Sequence, residues 1–324
     1  MNTPEAPPGA GQRKAVIAAA LISALASIPF FMTAFPPSTD LPQHLAQVRL
    51  FLEALESPGG PYVIQALAPN NLIYACILLF WSVLPAAYVG PAVLALMVFL
   101  WIAAIFILGV GRGRPVEAAI LASLLAFNQS FYWGFLNFLT GFPVFVLWFA
   151  LTTKTPVRRS WKIYAALAGT SFLLYGSHAL WLAAGCAWLV AIGLLRKIPF
   201  KEFVFRLAAL LPCGVLALLW YPRLSASRAT AGFDVVPRWS PLFDRLSSFV
   251  DAAFGGIRGP LEVLVFVLLY AWCGLSVWQN RKRLGSAVDR DLLAAGGFFL
   301  AIVIVAPDMY MNTLFFGARW LPAA

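Results

Sequence analysis

The chain has 324 residues, of which 61% are hydrophobic and 11% charged, with a net charge of +10. A soluble domain carries about 25% charged residues, so the composition excludes a water-soluble globular protein and points to an all-α, polytopic bundle of transmembrane helices. The basic residues are dispersed among apolar runs and form no stripe with interleaved aromatics, which excludes a nucleic-acid-binding surface and leaves positive charge with a topological role.

The leader, residues 1–14, is rich in Pro, Gly and Ala and is expected to be a disordered cytoplasmic segment. The run 15–35 follows a basic flank, is long, and ends at Pro36-Pro37 rather than at a small-residue cleavage site, so it reads as an uncleaved first span. Further apolar runs, bounded by charge or proline, predict spans near 90–110, 116–129, 136–153, 163–177, 179–195, 203–221, 261–278 and 292–307. That makes about nine in one transmembrane domain over 15–324.

The run NLIYACILLFWSVL, 71–84, lies between Asn70-Asn71 and Pro85. Read as a re-entrant or juxtamembrane element on the outer face, with the N-terminus inside, it puts all six lysines and ten of the seventeen arginines on the cytoplasmic side. Read as a full span, it would move the basic loops 111–115, 153–162, 196–201 and 279–285 outside, against the positive-inside bias. The outer stretches are then about 36–89, 222–260 and 308–324. Cys76, Cys186, Cys213 and Cys273 all sit in apolar runs without paired spacing, so neither a disulfide nor a zinc site is expected.

The first outer loop opens PPSTDLPQHLAQVRLFLEALES. Ser38, Thr39 or Asp40 can cap an amphipathic helix over 42–56 whose first turn holds Pro42. Spacings of four and three place Asp40, His44 and Gln47 on one face, opposite a stripe of Leu45, Val48, Leu52 and Leu55. The competing reading leaves Asp40 as a cap and His44 as a solvated residue of the first turn.

Polar residues recur at the other outer helix ends: Asn70 and Asn71; Asn128, Gln129 and Asn137 within NQSFYWGFLNFLTG; and Ser177 and His178 within YGSHALW. Polar groups at membrane depth are costly unless paired, which makes them candidates for a lined cavity; an aromatic belt and a histidine bonded between helices are the plainer alternatives. The stretch SPLFDRLSSFVDAAFGG predicts an interfacial helix around 240–254 with Phe243, Leu246 and Phe249 toward lipid or protein. Its sharper reading is a lid over the first-loop site, flanked by Arg223, Arg228 and Arg238, which could meet a phosphate. The tail brings Asp308 and Arg319 to one face and stops at the entry to what reads as another span, as a truncated product would.

The order of these features (an inside N-terminus, one span, a long outer loop with an acid directly after that span, juxtamembrane helices, then many spans with short basic inner loops) resembles the GT-C superfamily of membrane glycosyltransferases. The segments TDLPQHLAQVRLF, APNNLIYACILLFWSVLP, SFYWGFLNFLTGFP and YGSHALW are similar to uncharacterised bacterial membrane proteins of GT-C type, over residues 15 to 221. The resemblance implies transfer of a sugar from a polyprenyl-phosphate carrier in the membrane lipid of a bacterial inner membrane, on its periplasmic or extracellular face. It makes Asp40 the catalytic base with His44 beside it, and Asp40 the ligand of any divalent magnesium or manganese. Arg49, Asn70, Asn128, Gln129, Asn137, His178 and Arg319 become the substrate-binding set. Asp40 stands alone where many relatives carry D-x-D or an acidic pair. The rival readings are a non-catalytic scaffold or assembly subunit, and a lipid or solute transporter, which would want charges deep in its spans or broken helices in matching halves.

Overall fold

The computed structural model describes residues 10–57, 59–62, 64–65, 68–154, 160–232, 236–255, 259–283, 288–311 and 313–324. Regular structure among them is helical, relieved by two isolated β-bridges, Arg238 with Met309 and Tyr310 with Thr313. In chain order the α-helices are α1 (Ala10–Phe31), α2 (Leu41–Glu56), α3 (Leu72–Val83), α4 (Ala86–Val110), α5 (Pro115–Leu125), α6 (Gln129–Trp133), α7 (Leu136–Lys154), α8 (Trp161–Ser177) and α9 (Ala179–Leu195). There follow α10 (Phe200–Ala208), α11 (Leu211–Thr230), α12 (Leu242–Ser247), α13 (Phe249–Phe254), α14 (Pro260–Asn280) and α15 (Arg290–Val305), then a 3-10 turn over Ala318–Ala323. Of the leader expected to be disordered, 1–9 lie outside the described residues, and Ala10 to Lys14 already belong to α1.

Every one of the nine apolar runs falls on helix, but the helices differ in length. Four are long and apolar enough to cross a membrane: Gly11–Phe31 of α1, α4, Leu136–Thr153 of α7 and Val263–Asn280 of α14. At 25 residues, α4 extends about 37 Å, beyond the roughly 30 Å of a hydrocarbon core. A fifth exists if α10 and α11, which meet at 53°, are one broken span. The break falls just before Pro212, whose missing N–H suits the first turn of a new helix. The apolar helices α3, α5 and α9 are shorter. Along α14 the apolar residues are turned outward, with Leu261 and Trp278 well exposed, a surface that suits lipid and would aggregate in water. These are the features of a helical integral membrane protein.

The chain forms two compact units. The first comprises the residues up to Ala126 with Trp133–Phe149 and Leu173–Trp181; the second comprises Phe127–Tyr132, Ala150–Phe172 and Leu182–Ala324. In the first, α1, α4 and α5 pack on one another, α3 lies on α4, and α2 lies on α3 and α4. Ile73 and Ile77 of α3 and Val93 and Leu94 of α4 are fully buried there. The α4–α5 turn is tight because Gly109 lets the Ala118 methyl come within 2.5 Å of where a Cβ would stand.

Gly141 has a related task. The Trp181 ring, whose Nε1–H donates to the Phe138 carbonyl at 2.6 Å, lies 1.9 Å from where a Gly141 Cβ would stand. Gly141→Ala should therefore overpack this site and lower stability by about 1–3 kcal/mol, read as a fall in the thermal midpoint of the detergent-solubilised chain. An unchanged midpoint would mean that the ring is not held where it stands.

In the second unit, α10 buries an ion pair. Arg206 donates through Nε to Glu202 at 2.9 Å and through Nη1 to the Thr152 carbonyl at 2.8 Å, and both side chains are almost wholly enclosed. The Trp188 indole donates to the Thr152 hydroxyl beside them. Further along, Arg245 spends its guanidinium on the end of α15, donating to the carbonyls of Ile304 and Ala306 and pairing with Asp308 at 3.1 Å. A cation at a helix C-terminus satisfies orphan carbonyls and meets the negative end of the dipole. The continuous helix expected over 240–254 is instead two short ones, α12 and α13, joined at Ser248, whose hydroxyl bonds the Arg245 carbonyl. Phe243 and Leu246 are exposed.

Candidate functional site

The loop after α1 turns into α2 at Asp40, with Pro42 in the first turn. Asp40 occupies the cap position, yet its side chain accepts no helix N–H. The cap reading of this carboxylate therefore fails, and the residue is positioned through its main chain: its N–H donates to the Trp133 carbonyl at 3.1 Å. That approach depends on Gly134, which adopts φ +79° and brings the Asp40 nitrogen within 2.6 Å of where a Cβ would stand. Any other residue would meet both the strain of a positive φ and that clash.

His44 departs from the sequence expectation. Rather than standing on an open polar face with Asp40 and Gln47, it is buried with Leu41 and Val48, while Leu55, expected in the buried stripe, is exposed. The ring is held from both sides: Nε2 lies 3.2 Å from the Gly134 carbonyl, and Nδ1 lies 3.1 Å from the Tyr74 hydroxyl. A carbonyl only accepts, so Nε2 carries the hydrogen, and Nδ1 of the neutral ring must accept from Tyr74. The same hydroxyl contacts Gln47 Oε1. One phenolic proton cannot serve both partners, so the neutral and protonated forms of His44 call for different arrangements of Gln47.

Burial pushes the His44 pKa below its ordinary value of 6.5, opposed by the bond to the Gly134 carbonyl and by the nearby Asp40 charge. With the folded value lowered, the unfolded chain binds more protons between the two values, so stability rises with pH there. The contribution is fully present above 6.5 and is lost as pH falls from that value toward the folded one. His44→Gln should flatten this part of the profile of thermal midpoint against pH; a parallel profile would show that another group sets it.

Beside this chain of contacts lies a cleft of about 1100 Å³ between α2, the residues 61–62, 64–65 and 68–71, and α3. Gln47, Gln65, Asn70, Asn71, Asn137, Tyr62 and Tyr74 supply its polar groups, and Leu50, Phe51 and Leu78 much of its apolar wall. Asp40 and His44 are not among the lining residues; His44 reaches the cleft through the Tyr74 hydroxyl. Asn137 stands beside the Tyr74 hydroxyl, and its Oδ1 is buried with no hydrogen-bond partner among the described residues.

The other expected site residues have local duties. Asn70, at φ 71°, accepts from the Ala179 N–H through Oδ1, and His178 Nδ1 accepts from the Leu180 N–H, so the two together satisfy the start of α9. Arg49 pairs with Glu53 at 3.2 Å on an exposed helix surface, an arrangement of little energetic weight, and does not line the cleft. Asn128, Gln129 and Arg319 belong to the second unit. There, Asn128 Oδ1 accepts from the Phe131 N–H at the start of α6, and Arg319 is buried, donating to the Leu314 and Phe315 carbonyls. Gln129 Oε1 is buried without a partner among the described residues. Tyr74 is the residue that sequence reasoning missed; its signal was a lone phenol one turn into an otherwise apolar helix.

A divalent ion would find at Asp40 one carboxylate and an imidazole with both nitrogens engaged, too few donors for a hard cation. Among the described residues no three His, Cys, Asp or Glu side chains cluster as a metal site. The four cysteines are free. Compared with known protein families, curated proteins and solved structures, the chain matches none.

Proposed function

We propose that the protein is a membrane glycosyltransferase of GT-C type, moving a sugar from a polyprenyl-phosphate carrier to an acceptor hydroxyl on the non-cytoplasmic face of a bacterial inner membrane. The observation that carries the reading is a carboxylate uncommitted to helix capping, directly after the first apolar helix, with an imidazole one turn on and a phenol leading to a cleft. Asp40 takes the proton of the acceptor hydroxyl as its oxygen bonds the anomeric carbon, while the bond from that carbon to the phosphate oxygen breaks and the phosphate leaves with the electron pair. His44 holds Tyr74, and through it the wall of the cleft. No step is routed through a metal. Reconstitution of the chain with a labelled polyprenyl-phosphate sugar, followed by mass spectrometry of the membrane products, should reveal transfer; loss of label only to water, or none, defeats the reading.

The accompanying topology has about nine spans with the N-terminus inside, the shorter helices being met by local thinning of the bilayer and by flanking side chains that reach to the interface. Cysteines introduced at Arg112 and Arg158 should be closed to a membrane-impermeant thiol reagent until the cytoplasmic side is opened. Labelling from outside would reverse the orientation. A non-catalytic scaffold is the second reading, favoured by the solitary acid.

A further inference from the structure

The cleft beside α2 is lined by no Lys, Arg, His, Asp or Glu. Its polar complement is five side-chain amides and two tyrosines, and such groups recognise hydroxyls by donating and accepting at once. The one buried atom there with no partner among the described residues, Asn137 Oδ1, is an acceptor. It calls for a donor, which a hydroxyl supplies and an ionised phosphate or carboxylate does not. A smaller neighbouring pocket of about 260 Å³ shares Ala54, Pro61 and Tyr62 with this cleft and adds Glu56 and Glu53, the latter paired with Arg49. The remaining wall is aliphatic and aromatic, with Leu50, Phe51, Leu55, Ile64 and Leu78 exposed or half-buried along it.

We propose that this cleft binds an amphiphile with an uncharged, hydroxyl-rich headgroup, the headgroup seated on Gln47, Tyr74 and Asn137 and the alkyl chain laid against Leu50, Phe51 and Leu78. The ligand's chemistry follows from the cleft alone; that it takes part in transfer, as a molecule distinct from the phosphate-bearing donor, rests on the transferase reading. The volume is of the size that encloses a drug-sized ligand, and burial of one hydrogen-bonded headgroup with part of a chain is what the lining offers.

The test uses the full chain in phosphatidylcholine nanodiscs and an octyl glucoside carrying a diazirine in its alkyl chain. Photolabelling should fall on peptides covering 47–55 and 61–78. Unlabelled octyl glucoside should compete about ten-fold better than octyl phosphate, the equivalent of about 1.4 kcal/mol, and free glucose should compete poorly. Tyr74→Phe, which keeps the ring, and Asn137→Leu, which removes the orphan acceptor, should each cut labelling by about ten-fold in chains that remain folded at the assay temperature. If Asn137→Leu does not fold, Tyr74→Phe decides. Equal competition by octyl phosphate, labelling elsewhere, or indifference to Tyr74→Phe overturns the proposal; equal competition by free glucose overturns the amphiphile and points to a soluble glycan. Labelling as expected without any transfer in the same nanodiscs keeps the cleft assignment and removes the transferase reading. Transfer with labelling elsewhere does the reverse.

Discussion

Glu202→Ala should destabilise the protein by about 3–5 kcal/mol, because it leaves the Arg206 guanidinium buried without its carboxylate. The pair is nearly closed to solvent, with side-chain exposures of 2% for Arg206 and 5% for Glu202. The Thr152 carbonyl, which also receives this guanidinium, offers partial compensation but no countercharge. The cost belongs to the orphaned charge more than to the pair itself, so the double replacement Glu202→Leu with Arg206→Met should recover most of the loss. Thermal midpoints of Glu202→Leu, of Arg206→Met and of the double variant make the cycle. Near-additive losses would show that the two side chains are not coupled in the folded protein.

Asp40→Asn is the decisive change for chemistry. The amide keeps the size and the main-chain hydrogen bond to Trp133 but cannot take a proton, so transfer should fall by about 10²–10⁴-fold while the thermal midpoint holds. The residue caps nothing with its side chain, which separates this outcome from simple unfolding. Full transfer activity in the variant would remove Asp40 from the mechanism.

Much of the architecture can be read from residue order. The sequence D-L-P announces a helix start, and α2 begins at Leu41; Asn71 and Pro85 bracket α3. Other features are hidden because periodicity fixes which residues share a face but not which face meets the neighbouring helix. The pattern puts His44 on the polar side of α2, whereas Tyr74 and the Gly134 turn enclose it, contacts 30 and 90 residues away in sequence. Nothing in the run FKEFVFRLA shows that Glu202 and Arg206, one turn apart, satisfy each other inside rather than in solvent. The break at Ser248 has no local signal, since Arg245 is drawn to the end of α15, an element some 60 residues on. Asn70 and His178 stand out in the sequence as unusual polar groups; their hydrogen bonds to the start of α9 emerge only when the two segments come together.

The main-chain anchoring of Asp40 bears on how the site can be watched at work. With its N–H tied to Trp133 and Gly134 allowing the close approach, the acid does not rely on the side chains of Gln43 and Ala46, which are exposed on the following turns. A fluorophore or spin label attached at Gln43 would therefore sit within one helical turn of the acid and report ligand arrival while the main-chain anchor of Asp40 is kept.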